Sequence, residues 1–194
     1  MEFTTSLREE GETWESIATH LGNLQALQQS DLNGAIAYSQ QFYADSSEYW
    51  STKPYSADKE ARFSGLESIL AAVEEQRGLA GLETWVSSID GEATGLRNYR
   101  LEATSRMIAA LREESPERAA AWVRANANQG YVAVPDIVAA AEVFADTPEG
   151  QVDWIAALPG NANRSALAGP FREFLQEDFD AAGAWLARQT LDPA

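Results

Sequence analysis

The chain has 194 residues, 45% of them apolar, and a formal net charge of −16. This length and composition fit one or two compact domains with a true core. The charge argues against nucleic acid or an anionic membrane as a direct ligand, since both need a basic footprint, and the absence of cysteine excludes thiolate nucleophiles, disulfides and cysteine-ligated metal centres.

Twelve of the fourteen basic residues are arginine, and the only lysines are Lys53 and Lys59. An acidic balance of this kind mostly solvates the surface, and it also suits a basic partner. The opening "MEFTTSLREEGETW" lacks a basic stretch followed by an apolar one. No secretion signal is therefore expected, and a cytoplasmic location is the default expectation. No stretch approaches the roughly 20 apolar residues of a membrane span.

Taken in chain order, "LREEGETW" at 7–14 reads as a degenerate first copy of a pattern that sharpens further on. Trp14, Ile17, Leu21 and Leu24 then form a helical stripe. His20, the only histidine, borders it. Any histidine general base or Ser/His/Asp triad must use His20, but its place beside an apolar stripe fits a structural residue. A ferritin-like di-iron site needs Glu three residues before His, and Ile17 stands there.

Tyr38, Phe42, Tyr43, Tyr49, Trp50 and Tyr55 crowd into the next segment. Tyr49, Trp50 and Tyr55 flank the loop "STKP" and are the candidate partner-binding residues, since exposed aromatics beside a proline loop suit peptide or sugar contacts. Packing between N-terminal helices is the competing explanation. Residues 1–57 are read as N-terminal helices built of degenerate repeats. Residues 58–194 are read as helical-hairpin repeats, continuous with them as one domain.

From residue 58 onward helical spacing and punctuation dominate. Phe63, Leu66, Leu70 and Val73 form one stripe, and Leu101, Ile108 and Leu111 the next. Ile137, Ala141 and Phe144 form a third, and Leu167, Phe171 and Phe174 a fourth. Ser115 before Pro116, and Thr147 before Pro148, read as an N-cap followed by a first-turn proline. The hydroxyl accepts an orphan amide proton, and proline at that place gives up no needed donor. Gly78, Gly91, Gly130 and Gly160 mark helix ends. "GYVAVP" at 130–135 is expected to be a loop.

Trp85, Trp122, Trp154 and Trp185 recur at intervals of 37, 32 and 31 residues. Before each of the last three stands a helix ending in an acidic turn ("LREESP", "FADTP", "LQEDF"), and after the turn a shorter helix carries the tryptophan. The unit is a helix–turn–helix of about 32 residues. A single hairpin cannot bury its apolar face, and stacking on neighbours does so. These four tryptophans are accordingly assigned to the structural core, with Ala119 to Ala121 and Ala181, Ala182 and Ala184 allowing close helix approach. Loss of Trp122 or Trp154 is expected to cost about 3–5 kcal/mol.

A proline followed six residues later by tryptophan, as in Pro116 to Trp122 and Pro148 to Trp154, resembles the boundary between tetratricopeptide repeats. Phe179 replaces the proline before Trp185, and Ala125-Asn126 and Ala157-Leu158 replace the family's Leu-Gly pair. The match covers roughly the C-terminal half of the chain. "DWIAALPGNANRSAL" with "FDAAGAWLA" is similar to helical repeats of uncharacterised bacterial proteins. The resemblance implies an array of α-hairpins and carries no activity. Residues and resemblance together give an all-α fold of nine or ten helices: antiparallel helical hairpins stacked as a short right-handed α-solenoid, with a more irregular N-terminal bundle. "TLDPA" at the end reads either as the opening of another hairpin or as a frayed tail.

No catalytic, cofactor-binding or metal-ligating residue is assigned, and no cofactor is expected. Adjacent acidic pairs such as Glu113-Glu114 diverge by about 100° on a helix. Asp146, Glu149 and Asp153 share a face, as do Glu173 and Glu177, and would recruit a cation or a basic partner, or simply solvate the helix. "DFDAAG" at 178–183 starts like a calcium loop, but Ala182 and Gln189 stand where oxygen ligands belong, and an N-cap at Asp178 accounts for it. "NRS" at 163–165 is a glycosylation sequon only in a eukaryotic secretory setting. The leading functional expectation is a non-catalytic protein–protein interaction or scaffold module. Its partner would be a protein or peptide held on the concave face, with a basic one suiting the charge, and neither nucleic acid nor membrane insertion is expected. The alternatives are a carboxylate-based enzyme or its regulatory domain, and an acidic mimic of nucleic acid.

Overall fold

A computed structural model of the chain describes residues 14–50, 57–91, 96–159 and 162–188. All regular structure among them is helical, in the order α1 (Trp14–Ser30), α2 (Leu32–Trp50), α3 (Ala57–Ser88), α4 (Leu96–Glu114), α5 (Pro116–Asn126), α6 (Val134–Phe144), α7 (Pro148–Ala156), α8 (Ala162–Glu177) and α9 (Phe179–Arg188). The fold is all-α, with helices packing on their sequence neighbours. Two compact units divide the chain, Met1–Met107 and Ile108–Ala194, and the division falls inside α4.

In the first unit α1 packs on α2 and α3, and α2 packs on α3. Asp31 fills the single-residue gap between α1 and α2 and accepts the Gly34 amide at 3.0 Å. This is an N-cap, and it meets one of the four orphan donors that begin a helix. Leu66, Ile69, Leu70 and Val73 line the buried side of α3 at helical spacing. Gln28 and Ser68 tie α1 to α3, with the Gln28 Nε2 donating to Ser68 Oγ at 2.8 Å.

Helix α3 breaks at Gly78, where φ is +67 and ψ is 177. Only glycine takes that conformation without strain, because a Cβ would clash with its own backbone. The break turns one apolar run into two segments, and the second carries Trp85. A Cβ built at Gly78 meets no atom within 4 Å, so its penalty is purely conformational. Gly78→Ala is expected to lower the unfolding free energy by about 1–3 kcal/mol. Urea denaturation measures this, and an unchanged midpoint would mean that the helix runs straight through.

Tyr99 of α4 is fully buried. Its ring meets Tyr43 edge-on at 5.0 Å and Trp85 at 6.5 Å, and its hydroxyl shares a hydrogen bond of 3.2 Å with Ser39. Burial holds the Tyr99 phenol well above its ordinary value of 10.0, against the Ser39 hydroxyl, which lowers it. Burial also raises the half-buried Tyr38, less the effect of a hydrogen bond with Asn23. A phenol whose folded pKa exceeds its unfolded one stabilises the fold fully below about pH 10. As the pH rises beyond that, the unfolded chain gives up a proton that the fold retains, and the stabilisation is lost. Unfolding free energy is therefore expected to fall above about pH 10, and less steeply in Tyr99→Phe. Urea titrations at a series of alkaline pH values provide the comparison.

In the second unit α5 packs on α6, α6 on α7, α7 on α8, α8 on α9, and α6 also on α8. Each of the three shorter helices after a tight corner opens with the same cap. Arg118 N donates to Ser115 Oγ at 3.2 Å, Gly150 N to Thr147 Oγ1 at 3.2 Å, and Ala181 N to Asp178 Oδ1 at 2.9 Å. Pro116 and Pro148 start their helices as expected, where the missing donor has no intrahelical use. The expected loop at 130–135 is shorter than anticipated. Residues 130–133 form the turn, but Val134 and Pro135 already belong to α6. Proline's fixed φ fits a first helical turn, which is why an extended-looking "VP" begins a helix. Pro170 lies inside α8.

Candidate functional site

The tryptophans fall at one register. Trp122, Trp154 and Trp185 each stand seven residues after the cap residue of their helix, and Trp85 stands seven after Gly78. Their environments differ. Trp185 is 4% exposed and Trp85 6%, whereas Trp122 and Trp154 are half-buried. Trp185 packs with Val152, Phe174 and Ala182, and its Nε1 donates to Asp153 Oδ1 at 2.6 Å. Trp154 stacks on Phe144 with centroids 5.4 Å apart and planes at 20°, and its buried Nε1 has no hydrogen-bond acceptor among the described residues. The residue before Trp154 supplies the carboxylate for Trp185, while the residue before Trp122 is Ala121. Phe144, the last member of the third stripe, is 46% exposed.

Asp153 is thus engaged with an indole. Asp178 caps α9, and Glu149, Glu173 and Glu177 have no shared ligand-like arrangement. Among the described residues no group of three or more His, Asp or Glu side chains is placed to hold a metal ion. Arg106 pairs with Glu102 at 3.1 Å and with Glu67 at 3.0 Å, and Arg118 pairs with Glu114 at 2.7 Å. These pairs lie at the surface, with Glu102 partly buried, and are worth a few tenths of a kcal/mol each. Tyr49 and Trp50 lie on α2, but their side chains are outside the described residues, as is the whole of Tyr55. The His20 side chain on α1 is likewise outside them.

A groove of about 410 Å³ opens in the second unit, lined by Asn128, Gln129, Val132, Val134, Ile137 and Ser165 around Gly130. The segment after α5 builds it. Gln129 N donates to Asn126 O at 2.9 Å, and Val132 N donates to Gln129 O at 3.2 Å. These two bonds hold the turn closed on itself. Asn126 itself is held by the Trp122 carbonyl at 2.9 Å, so the tryptophan helix anchors one rim. Helix α6 supplies the apolar floor through Val134 and the buried Ile137. Helix α8 supplies Ser165 on the other side.

The groove carries no titratable group. Its chemistry is a paired donor and acceptor on each side-chain amide, one hydroxyl, and valine surface. That arrangement can hold a neutral polar chain with an apolar side group, and it offers no acid, base or nucleophile of strength.

No family model, no curated protein and no solved structure matches this chain.

The groove was not anticipated from the sequence. The signal lay in "NANQGYV", two amides beside a glycine between helical stripes, but amide-rich turns are common helix ends and nothing in that spelling places α8 across from them. Among the described residues no helix is long and apolar enough to cross a membrane.

Proposed function

We propose that this protein is a non-catalytic interaction module of helical-hairpin repeats, akin to tetratricopeptide arrays, that binds an extended segment of a partner protein. The groove between the 127–133 turn, α6 and α8 carries the reading. Its two amides and one hydroxyl match the donors and acceptors of a peptide backbone, and Val132, Val134 and Ile137 match one apolar side chain. The recurrent cap-to-tryptophan register supports a repeated unit. The net charge of −16 favours a partner segment flanked by basic residues, through steering more than through contact.

Val134 is 38% exposed, so a charge can replace it without entering the core. Affinity capture from the native host with wild type and with Val134→Glu, run side by side, tests the reading. A partner retained by the wild type is expected to fall at least about tenfold in yield with the variant, as a loss of roughly 1.4 kcal/mol implies. Matching thermal melts for the two proteins would show that the fold is intact. If every retained protein is indifferent to Val134→Glu, the groove is not the binding site.

A further inference from the structure

Asn33 and Gly34 form the one Asn–Gly pair in the chain. In such a pair the glycine nitrogen is free to attack the asparagine carboxamide, because no Cβ on the following residue stands in the way. The pair lies in the first turn of α2, where Asn33 is exposed to water. Each of its two reacting groups is held by a neighbour. The Gly34 amide, one of the orphan donors of a helix start, donates to Asp31 Oδ1 at 3.0 Å. Asn33 Oδ1 accepts from Arg77 Nη2 of α3 at 2.8 Å. A Cβ built at Gly34 would lie 2.5 Å from Asp31 Oδ2, so the carboxylate in this position and a side chain at 34 exclude each other. The glycine that makes room for the cap also leaves the nitrogen unshielded.

We propose that Asn33 is a site of spontaneous deamidation and that the Asp31 cap keeps the reaction slow. The Gly34 nitrogen bonds to the Asn33 carboxamide carbon, the bond from that carbon to Nδ2 breaks, and ammonia leaves with the proton of the backbone amide. Water then opens the five-membered imide. Opening at the side-chain carbonyl leaves aspartate, and opening at the backbone carbonyl leaves isoaspartate. Closure of the ring requires Asn33 to leave the helical ψ, near −42°, so that the nitrogen faces the carboxamide carbon. The bond to Asp31 holds that turn helical and occupies the proton that must be lost. Aspartate at 33 sets a carboxylate against the Arg77 guanidinium and keeps the link from α2 to α3. Isoaspartate adds a methylene to the main chain and shifts the buried Leu32 and Ala35 out of register.

The test holds the full chain at mildly alkaline pH, folded in buffer and unfolded in urea, and follows Asn33 by peptide mapping with mass spectrometry. Conversion is expected to be several-fold faster in urea. Among the folded proteins, Asp31→Ala is expected to convert several-fold faster than wild type. Asp31→Ser restores an acceptor at the cap and is expected to stay close to the wild-type rate. Circular dichroism checks that the variants are folded, and the comparison of wild type in buffer and in urea stands whether or not they are. Equal rates in buffer and urea, or an Asp31→Ala variant that converts no faster than Asp31→Ser, would overturn the proposal. The site lies in the first unit and the groove in the second, so this result and the outcome for Val134→Glu are independent.

Discussion

Trp185→Ala is expected to lower the unfolding free energy by about 3–5 kcal/mol, the range for removing a large aromatic from a packed core. Trp185 is 4% exposed and holds together Val152 of α7, Phe174 of α8 and Ala182 of its own helix. Phe171 adds a tilted ring contact at 5.5 Å. The alanine variant would leave a void among three helices and strip the Asp153 carboxylate of its indole donor. Trp185→Phe separates the two losses, because it keeps most of the ring volume and loses the hydrogen bond at 2.6 Å. A hydrogen bond to a charged group contributes about 1.5–3 kcal/mol. Asp153 is exposed and finds water when the indole is gone, so Trp185→Phe is expected at or below the lower end. The half-buried Trp154 should cost less than Trp185 when replaced by alanine. Urea denaturation of the variants gives the order directly. A Trp154→Ala variant less stable than Trp185→Ala would reverse the assignment of which indole holds the layers.

The second large effect is expected at Tyr99. Tyr99→Ala removes a ring with 0% exposure that touches Tyr43 and Trp85 edge-on. Its volume loss falls in the same class, about 3–5 kcal/mol, and each aromatic pair adds about 0.5–1.5 kcal/mol within that figure. Tyr99→Phe keeps the ring and orphans the buried Ser39 hydroxyl, a cost of about 1–3 kcal/mol. Guanidinium midpoints of the two variants, converted with a shared slope, separate ring from hydroxyl. If Tyr99→Phe were as damaging as Tyr99→Ala, the hydroxyl and not the packing would hold α4 in place.

Much of the helical plan is legible in the chain because its signals are local. Ser115-Pro116 and Thr147-Pro148 each write a helix start in two letters, and the hydroxyl and the missing amide do in the fold what they promise on paper. The stripe of Leu66, Leu70 and Val73 is buried as its spacing implies, and Gly78 breaks α3 where a glycine was expected to end a helix. What escapes the sequence is relational. Four tryptophans in one register give no hint that Trp185 is sealed while Trp154 keeps a partly open face, because that depends on what the neighbouring helices bring. Phe144 belongs to an apolar stripe by spacing, yet it lies at the last residue of α6, where coverage runs out. The groove escapes for the same reason, since it needs a turn, the start of one helix and Ser165 of another. Pro170 shows the converse. Local rules end a helix before an interior proline, and α8 continues through it.

The tight corners of the second unit have a bearing on how such a chain changes over generations. Ser115 alone joins α4 to α5, and Asp178 alone joins α8 to α9, and each is also the acceptor for the helix it begins. A residue added at either place would displace a cap and rotate the following tryptophan off its seat. The stretch from Ala127 to Ala133 has no such double duty. An added residue is therefore expected to be tolerated better at that bend, which forms one wall of the groove, than at either single-residue corner.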